Sequence, residues 1–288
     1  MPTPLVSIVI PVYNRYEYTR VCLHSVARLT YPEREALVVD NGSSDGTDER
    51  IKDEFPWVRV IRSPTNLGYA GGCNLGIRRS SGKYVLLLNN DTWIVNPDLL
   101  DVLVAILETN ARIGAAGPRI VEYDNPEKIV FDGQGDAYGG LDITGVVVLL
   151  RREAVRQVGL FDESFFAYYE DRDLFARLKN GGWRLQHSGR VSVAHKGSVT
   201  AVLGSPFSYY WHNRNFLVYL RRHGTVGLLV RGVFPVWAAN TAWFLHRTLR
   251  TREWQKLREW LRGYRDGLRA ALADQEKTGP PLEHREEA

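Results

Sequence analysis

Four groups of carboxylates and amides stand where apolar segments end, and each could do chemistry. The run YVLLLNNDTWIV (84–95) is apolar up to Asn89-Asn90-Asp91 and apolar again from Trp93. Asn and Asp favour the bends that follow strands, so a turn would account for this cluster. The same residues could hold a hard cation such as Mg²⁺ or Mn²⁺. Such an ion takes one or two protein oxygens and fills its remaining positions with phosphate and water. Asp40 heads VVDNGSSDGT. A carboxylate there can accept the imide N–H of uracil or thymine, and the Gly/Ser turn lets backbone approach a nucleotide. An ordinary loop with Ser44 or Asp45 as helix cap is the competing account.

YYEDRDLFARL (168–178) presents Glu170, Asp171 and Asp173 at the opening of a helix. Acids are favoured at a helix N-terminus, which explains at least one of the three. Adjacent carboxylates cannot all face one way, however, and Phe165, Phe166, Tyr168 and Tyr169 surround them with aromatic surface. That is a setting for a general base. His195 follows the strand-like RVSVA, a position where a lone histidine is more often structural than a ligand. NLGYAGGCNLG (66–76) puts glycines beside Asn66 and Asn74 where a helix begins. It is a weak phosphate cradle: it lacks GxGxxG and follows the third strand, which disfavours a dinucleotide-binding dehydrogenase.

The elements that must position these groups alternate. LVSIVIPV (5–12), ALVVD (36–40), VRVIRS (58–63) and YVLLL (84–88) read as strands. Helical patterns at 16–30, 44–55 and from 70 lie between them. Strands alternating with helices predict a parallel sheet of right-handed βαβ units, and continuous apolar strands agree with burial on both faces. Ligands of such sheets sit beyond the carboxyl ends of the strands. Tyr13-Asn14, Asp40-Asn41 and Asn89–Asp91 all fall on that rim.

The 288 residues are 44% hydrophobic and 24% charged, an ordinary globular composition. A net charge of +4 suits an anionic small molecule or membrane surface and gives no argument for nucleic acid. Two separated cysteines, Cys22 and Cys73, predict neither a disulfide scaffold nor a zinc site and point to a reducing cytosol. The N-terminal apolar stretch reads as a strand, not a signal peptide. From Val226 the character changes. The longest charge-free run, Gly232–Leu245, is fourteen residues, short of the ~20 that a membrane span needs. Residues 247–269 then carry eight Lys/Arg against three Asp/Glu, with Leu257, Leu261, Tyr264, Leu268 and Leu272 at helical spacing. The tail 274–288 reads as disordered.

Taken together, VSIVIPVYNR, VVDNGSSDGT, NLGYAGGCNLGI, YVLLLNNDT, the segment from TGVVVLL to NGGWRL, and HKGS resemble the inverting glycosyltransferases of family 2. The resemblance runs from about Val6 to Thr200 and is nearest the rhamnosyltransferase-type branch. It implies the GT-A fold, an α/β architecture with a mainly parallel sheet flanked by helices. It further implies that Asp91 is a ligand to Mg²⁺ or Mn²⁺ and that His195 completes the metal shell. Asp40 falls on the base-recognition acid. Pro11, Tyr13 and Asn14 line the nucleotide, with Asn66 and Asn74 on the donor-side loop. Asp171 falls on the catalytic base, beside Glu170. Asn89 replaces the first acid of the usual metal motif, and with Asn90 it is assigned to the donor, where its contact shifts toward ribose.

The expected domains are a catalytic unit at 1–224, divided near residue 95 into nucleotide and acceptor halves, and a helical region at 225–273. The expected partners are a UDP- or dTDP-linked sugar and a glycan or lipid-linked acceptor, handled in the cytoplasm or at the inner face of the membrane. Region 225–273 has two readings, membrane contact or a helical pair that packs or dimerises. Three rival classes are weaker. A sugar-1-phosphate nucleotidyltransferase would need a glycine-rich basic loop where Pro11–Asn14 stands. A non-catalytic nucleotide- or glycan-binding module would not need Glu170-Asp171 beside a metal motif. A polysaccharide synthase would need transmembrane helices.

Overall fold

A computed structural model of the chain describes residues 2–133, 142–197, 204–224 and most of 241–273. The chain divides into two compact units, Met1–Thr200 and Ala201–Ala288. The first is an α/β layer built on one sheet, as the alternating pattern predicts. Its strands are β1 (Val6–Val12), β2 (Arg34–Asp40), β3 (Arg59–Arg62), β4 (Tyr84–Leu88), β5 (Thr92–Ile94), β6 (Ile113–Glu122), β7 (Ile129–Phe131), β8 (Val147–Arg151) and β9 (Arg184–His195). They lie in the order β3-β2-β1-β4-β8-β6-β9-β5, with β7 on β6. The first four are parallel, whereas β8 runs antiparallel to both β4 and β6.

Helices α1 (Tyr16–Ala27), α2 (Thr47–Glu54), α3 (Gly68–Arg79), α4 (Leu99–Thr109), α5 (Arg152–Val158) and α6 (Glu170–Asn180) complete this unit. Two apolar cores form. One joins α1 and α4 to the sheet through Leu23, Val26, Leu86, Leu88 and Leu103. The other joins α3, α5 and α6 to it through Ala70, Cys73, Val85, Leu87, Leu174 and Phe175. Both β1 and β4 are buried along their whole length, which is why they read as unbroken apolar runs.

One connection sets the geometry of everything that follows. β4 ends near the middle of the sheet at Leu88, yet the next strand, β5, is the far edge and pairs antiparallel with β9. Only Asn89–Asp91 cover this crossing, so Asp91 is carried to the end of β9, where Thr92 pairs with His195. His195 is the last residue of that strand rather than a residue beyond it.

In the second unit α7 (Pro206–His223) packs on α8 (Trp254–Ala273). The approach is close because Gly263 and Gly267 face the partner helix. A Cβ on Gly263 would lie 2.5 Å from the Tyr210 carbonyl oxygen, and one on Gly267 2.7 Å from that of Arg214. The compact unit that begins at Ala201 thus includes α7, whereas the sequence reading draws its boundary after residue 224. Residues 225–240 and the 274–288 tail lie outside the described residues. No helix among the described residues is long and apolar enough to cross a membrane.

The contact of α3 with β1 yields a direct test of packing. A Cβ on Gly76 would sit 2.2 Å from Cγ1 of Val9, a residue with no exposure. Gly76→Val should destabilise the protein by about 1–3 kcal/mol, the usual effect of overpacking. Denaturant unfolding with an unchanged midpoint would show that α3 does not seat on the sheet as described.

Candidate active site

The carboxyl ends of β1 and β2 are stitched into one rigid rim. Asn14 and Arg15 both have positive φ, 56° and 64°, which turns the chain out of β1. Their main-chain N–H groups donate to Ser43 Oγ (2.7 Å) and Asp45 Oδ2 (2.9 Å), and Ser44 N–H donates to Asn14 Oδ1 (2.9 Å). Asp45, one of the two suggested caps, therefore spends its carboxylate on this seam and on Thr47. Pro11 is buried and Tyr13 half-buried beside it. Asp40 has no exposure. Its Oδ1 accepts from Ser43 N–H (3.2 Å), and its Oδ2 lies 3.6 Å from Arg62 Nε with no hydrogen-bond partner. Arg62 is held in turn by Asp48 at 2.5 Å and by the Ser43 carbonyl at 3.0 Å.

The crossing from β4 to β5 forms the second part. Asn89 is anchored through its main chain to Val146, but its side-chain Oδ1 is buried without a partner. Asn90 donates from Nδ2 to Thr19 Oγ1 (3.0 Å), which fastens the crossing to α1. Asp91 is 7% exposed and its Oδ1 lies 3.2 Å from His195 Nε2. The pair is close but lacks hydrogen-bond geometry, so His195 Nε2 also counts as a buried nitrogen without a partner. An oxygen and an imidazole nitrogen side by side suit a divalent cation with two protein ligands and phosphate or water elsewhere. Among the described residues no group of three or more His, Cys, Asp or Glu could hold a metal, so the fit rests on this pair.

The third part joins the loop at Asn66–Gly68 to α6. Asn66 Oδ1 accepts from Gly68 N–H, and Asn41 grips the same loop through Leu67 N–H and the Gly68 carbonyl. Gly68 has φ +72°, and a Cβ there would fall 2.4 Å from the Phe166 carbonyl oxygen. Tyr69 N–H donates to that oxygen (2.7 Å), and Tyr69 Oη donates to the Gly145 carbonyl (2.9 Å). Gly145 N–H donates to Asp171 Oδ2 (3.1 Å). A Cβ at Gly145 would lie 2.6 Å from that oxygen, so only glycine admits the carboxylate here. Phe166, Tyr168 and Tyr169 all have positive φ, from 59° to 73°, a local cost of about 1–3 kcal/mol per residue of the kind that gathers at functional sites.

The three acids of α6 go separate ways. Asp171 is partly exposed and takes Gly145 and Arg172 N–H groups. Asp173 is buried and ion-paired to Arg177 (2.8 Å), which ties down the C-terminus of α5 through the Val158, Gly159 and Leu160 carbonyls. Glu170 is turned inward beside Tyr69 and Cys73, with Oε2 unpartnered. Asn74, expected on the donor side, is 2% exposed and pinned to the Phe161 main chain and to Glu163. Its amide fixes the segment before α6 and is not turned to the rim. Tyr69, Gly145 and Arg62 are positioning groups that the sequence does not flag, because nothing in their spacing marks them.

Burial, reinforced by the charge of Asp171, pushes the Glu170 carboxyl up to about 8. Glu170 is therefore neutral near pH 7. Its contribution to stability is full below the unfolded value of about 4.5 and is lost as pH rises through the folded value. The difference in Tm between wild type and Glu170→Gln should accordingly shift in favour of the variant between about pH 5 and pH 8. Parallel Tm curves for the two proteins would refute a buried, protonated Glu170.

The likeness of this chain to known proteins is consistent across sequence and structure. The family model described as glycosyl transferase family 2 matches residues 7–159. An N-acetylglucosaminyl-diphospho-decaprenol L-rhamnosyltransferase of Mycobacterium tuberculosis is 25% identical, over 90% of this chain and 95% of that protein. A poly-beta-1,6-N-acetyl-D-glucosamine synthase of Staphylococcus epidermidis is 30% identical over 54% of this chain, which spans only 42% of the synthase. In structure, the mannosyltransferase PcManGT from Pyrobaculum calidifontis, solved with GDP-Man and Mn²⁺, covers 95% of this chain and 87% of its own. Its TM-score is 0.60 at 17% identity, a likeness of fold. The sheet, the rim and the matched family model lead to one conclusion: the chain belongs to glycosyl transferase family 2 and has the GT-A fold.

Proposed function

We propose that the protein is an inverting, metal-assisted hexosyltransferase of cell-surface polysaccharide synthesis. It moves a sugar, with rhamnose the leading candidate, from a UDP- or dTDP-linked donor to a glycan or lipid-linked acceptor. One observation carries this reading. Five buried side-chain polar atoms among the described residues lack a hydrogen-bond partner, and three belong to Asp40, Asn89 and His195, at or just past the carboxyl ends of β2, β4 and β9. Buried polar atoms without partners cost about 1–3 kcal/mol each, so their gathering at the rim of one sheet suits atoms that a ligand satisfies.

Each group then has a task. Asp40 Oδ2 accepts the imide N–H of the pyrimidine, with Arg62 keeping the carboxylate in place. Pro11, Tyr13 and Asn14 flank the nucleoside, and Asn66, Asn89 and Asn90 lie toward the ribose and diphosphate. Asp91 and His195 would hold the Mg²⁺ or Mn²⁺ whose charge offsets that of the departing diphosphate. Asp171 takes the proton of an acceptor hydroxyl as that oxygen bonds to the anomeric carbon. The bond from that carbon to the diphosphate oxygen breaks with its electron pair on the leaving group, so configuration inverts. Gly145 N–H aims Asp171, and the neutral Glu170 avoids a second buried negative charge beside it. The work is done on the cytoplasmic side, at a membrane face where lipid-linked acceptors are displayed.

Two substitutions test the assignment. Asp171→Asn keeps the shape and removes the basicity, so donor binding should persist while sugar transfer falls by roughly 10²–10⁴. Transfer at near wild-type rate would remove Asp171 from the mechanism. Asp91→Ala should weaken nucleoside diphosphate binding and abolish its dependence on Mg²⁺ or Mn²⁺. Calorimetry that finds the same metal-dependent affinity in the variant would refute the metal assignment.

A further inference from the structure

The pairing of α7 with α8 uses one face of α8 and leaves another without a partner among the described residues. The inward face carries Gly263, Gly267 and Ala271, all buried. Opposite them Trp254, Leu261, Leu268 and Leu272 are 56%, 54%, 56% and 69% exposed, among the largest exposures of big apolar side chains in the described residues. At 3.6 residues per turn these four and Leu257 form a single stripe. Arg258, Arg262, Arg265 and Arg269 fall along one flank of it. Glu259 and Asp266 fall beyond the arginines; Glu259 pairs with Arg262, and Asp266 with Arg265 and, at 3.9 Å, Arg269, while Arg262 also lies over the Tyr210 ring of α7. Exposed pairs of this kind hold side chains only weakly. A shallow hollow of about 500 Å³ opens where Trp254, Leu257 and Leu261 meet Arg258, Arg262 and Arg265.

We infer that this face of α8 docks on an anionic phospholipid bilayer. A row of leucines and a tryptophan beside a row of arginines matches acyl chains beside headgroup phosphates, and a 20-residue helix offers about 30 Å of such contact in the membrane plane. The sign of the charge argues against an antiparallel second copy. A second copy paired antiparallel about a two-fold axis would bring each arginine row against its duplicate, whereas an anionic leaflet attracts the whole row. Arg258 to Arg269 give reach and charge, and the leucine stripe gives burial. The contact is therefore both salt-sensitive and dependent on apolar insertion.

The test is sedimentation of the full-length protein with phosphatidylcholine vesicles and with vesicles that also contain phosphatidylglycerol, at low and at physiological salt. The protein should pellet with the anionic vesicles, less at higher salt, and not with the neutral ones. Replacing Arg258, Arg262, Arg265 and Arg269 by Gln should weaken this binding about tenfold or more. Leu261→Ser with Leu268→Ser should do the same; these two leucines are exposed, and this pair of substitutions should keep the wild-type Tm. Equal pelleting with neutral and anionic vesicles, no pelleting with either, or variants that bind like wild type would overturn the inference. A lipid-free dimer that the leucine substitutions dissociate would make the face a self-interface instead. Vesicle binding does not depend on transfer chemistry, so the two readings fail separately.

Discussion

The constraint that shapes the site is a set of polar atoms buried at the carboxyl edge of the sheet without partners among the described residues. Asp40 Oδ2, Asn89 Oδ1 and His195 Nε2 stand there, each at a cost to folding of about 1–3 kcal/mol. Surrounding residues fix these atoms in place and leave them unsatisfied. Ser43 and Arg62 hold the Asp40 carboxylate from one side, and Val146 anchors Asn89 by its main chain alone. Such an arrangement persists only because the strands behind it are wholly buried and cannot relax.

Two devices bring distant parts of the chain to that edge. The first is the three-residue crossing from β4 to β5, which makes Asp91 a neighbour of His195, more than a hundred residues later, through the pairing of β5 with β9. The second is α3. Its first turn follows the loop at Asn66–Leu67, and Tyr69 reaches both Phe166 ahead of α6 and the Gly145 peptide that meets Asp171. This loop and Asp171 are thus tied through one helix, and Gly68 is the contact where no side chain fits.

Much of this was legible in the residues. Buried parallel strands must be apolar throughout, so the sudden amides and acids of Asp40-Asn41 and Asn89–Asp91 mark the rim directly. The three acids of 170–173 could be recognised as a group, but their division could not be read. Asp173 is consumed by Arg177 and Glu170 is neutralised by burial, and both facts depend on what α5 and α3 place nearby. The hydrogen bonds of Asn74 to Phe161 were hidden for the same reason, since they depend on a segment far along the chain. The antiparallel insertion of β8 between β4 and β6 was also hidden, because its register is set by partners far along the chain. In the second unit the leucine spacing of α8 showed an amphipathic helix, but only the buried glycines reveal which face α7 takes.

If the unpaired atoms of the rim form one nucleotide site, a single ligand should satisfy them together. A crystal structure with UDP and Mn²⁺ bound, with anomalous scattering to locate the metal, measures this directly. The predicted result is a manganese peak in contact with Asp91 Oδ1 and His195 Nε2, the diphosphate on that ion, and the uracil imide on Asp40 Oδ2. A nucleotide bound with its base away from Asp40, or manganese that touches neither Asp91 nor His195, would contradict the account.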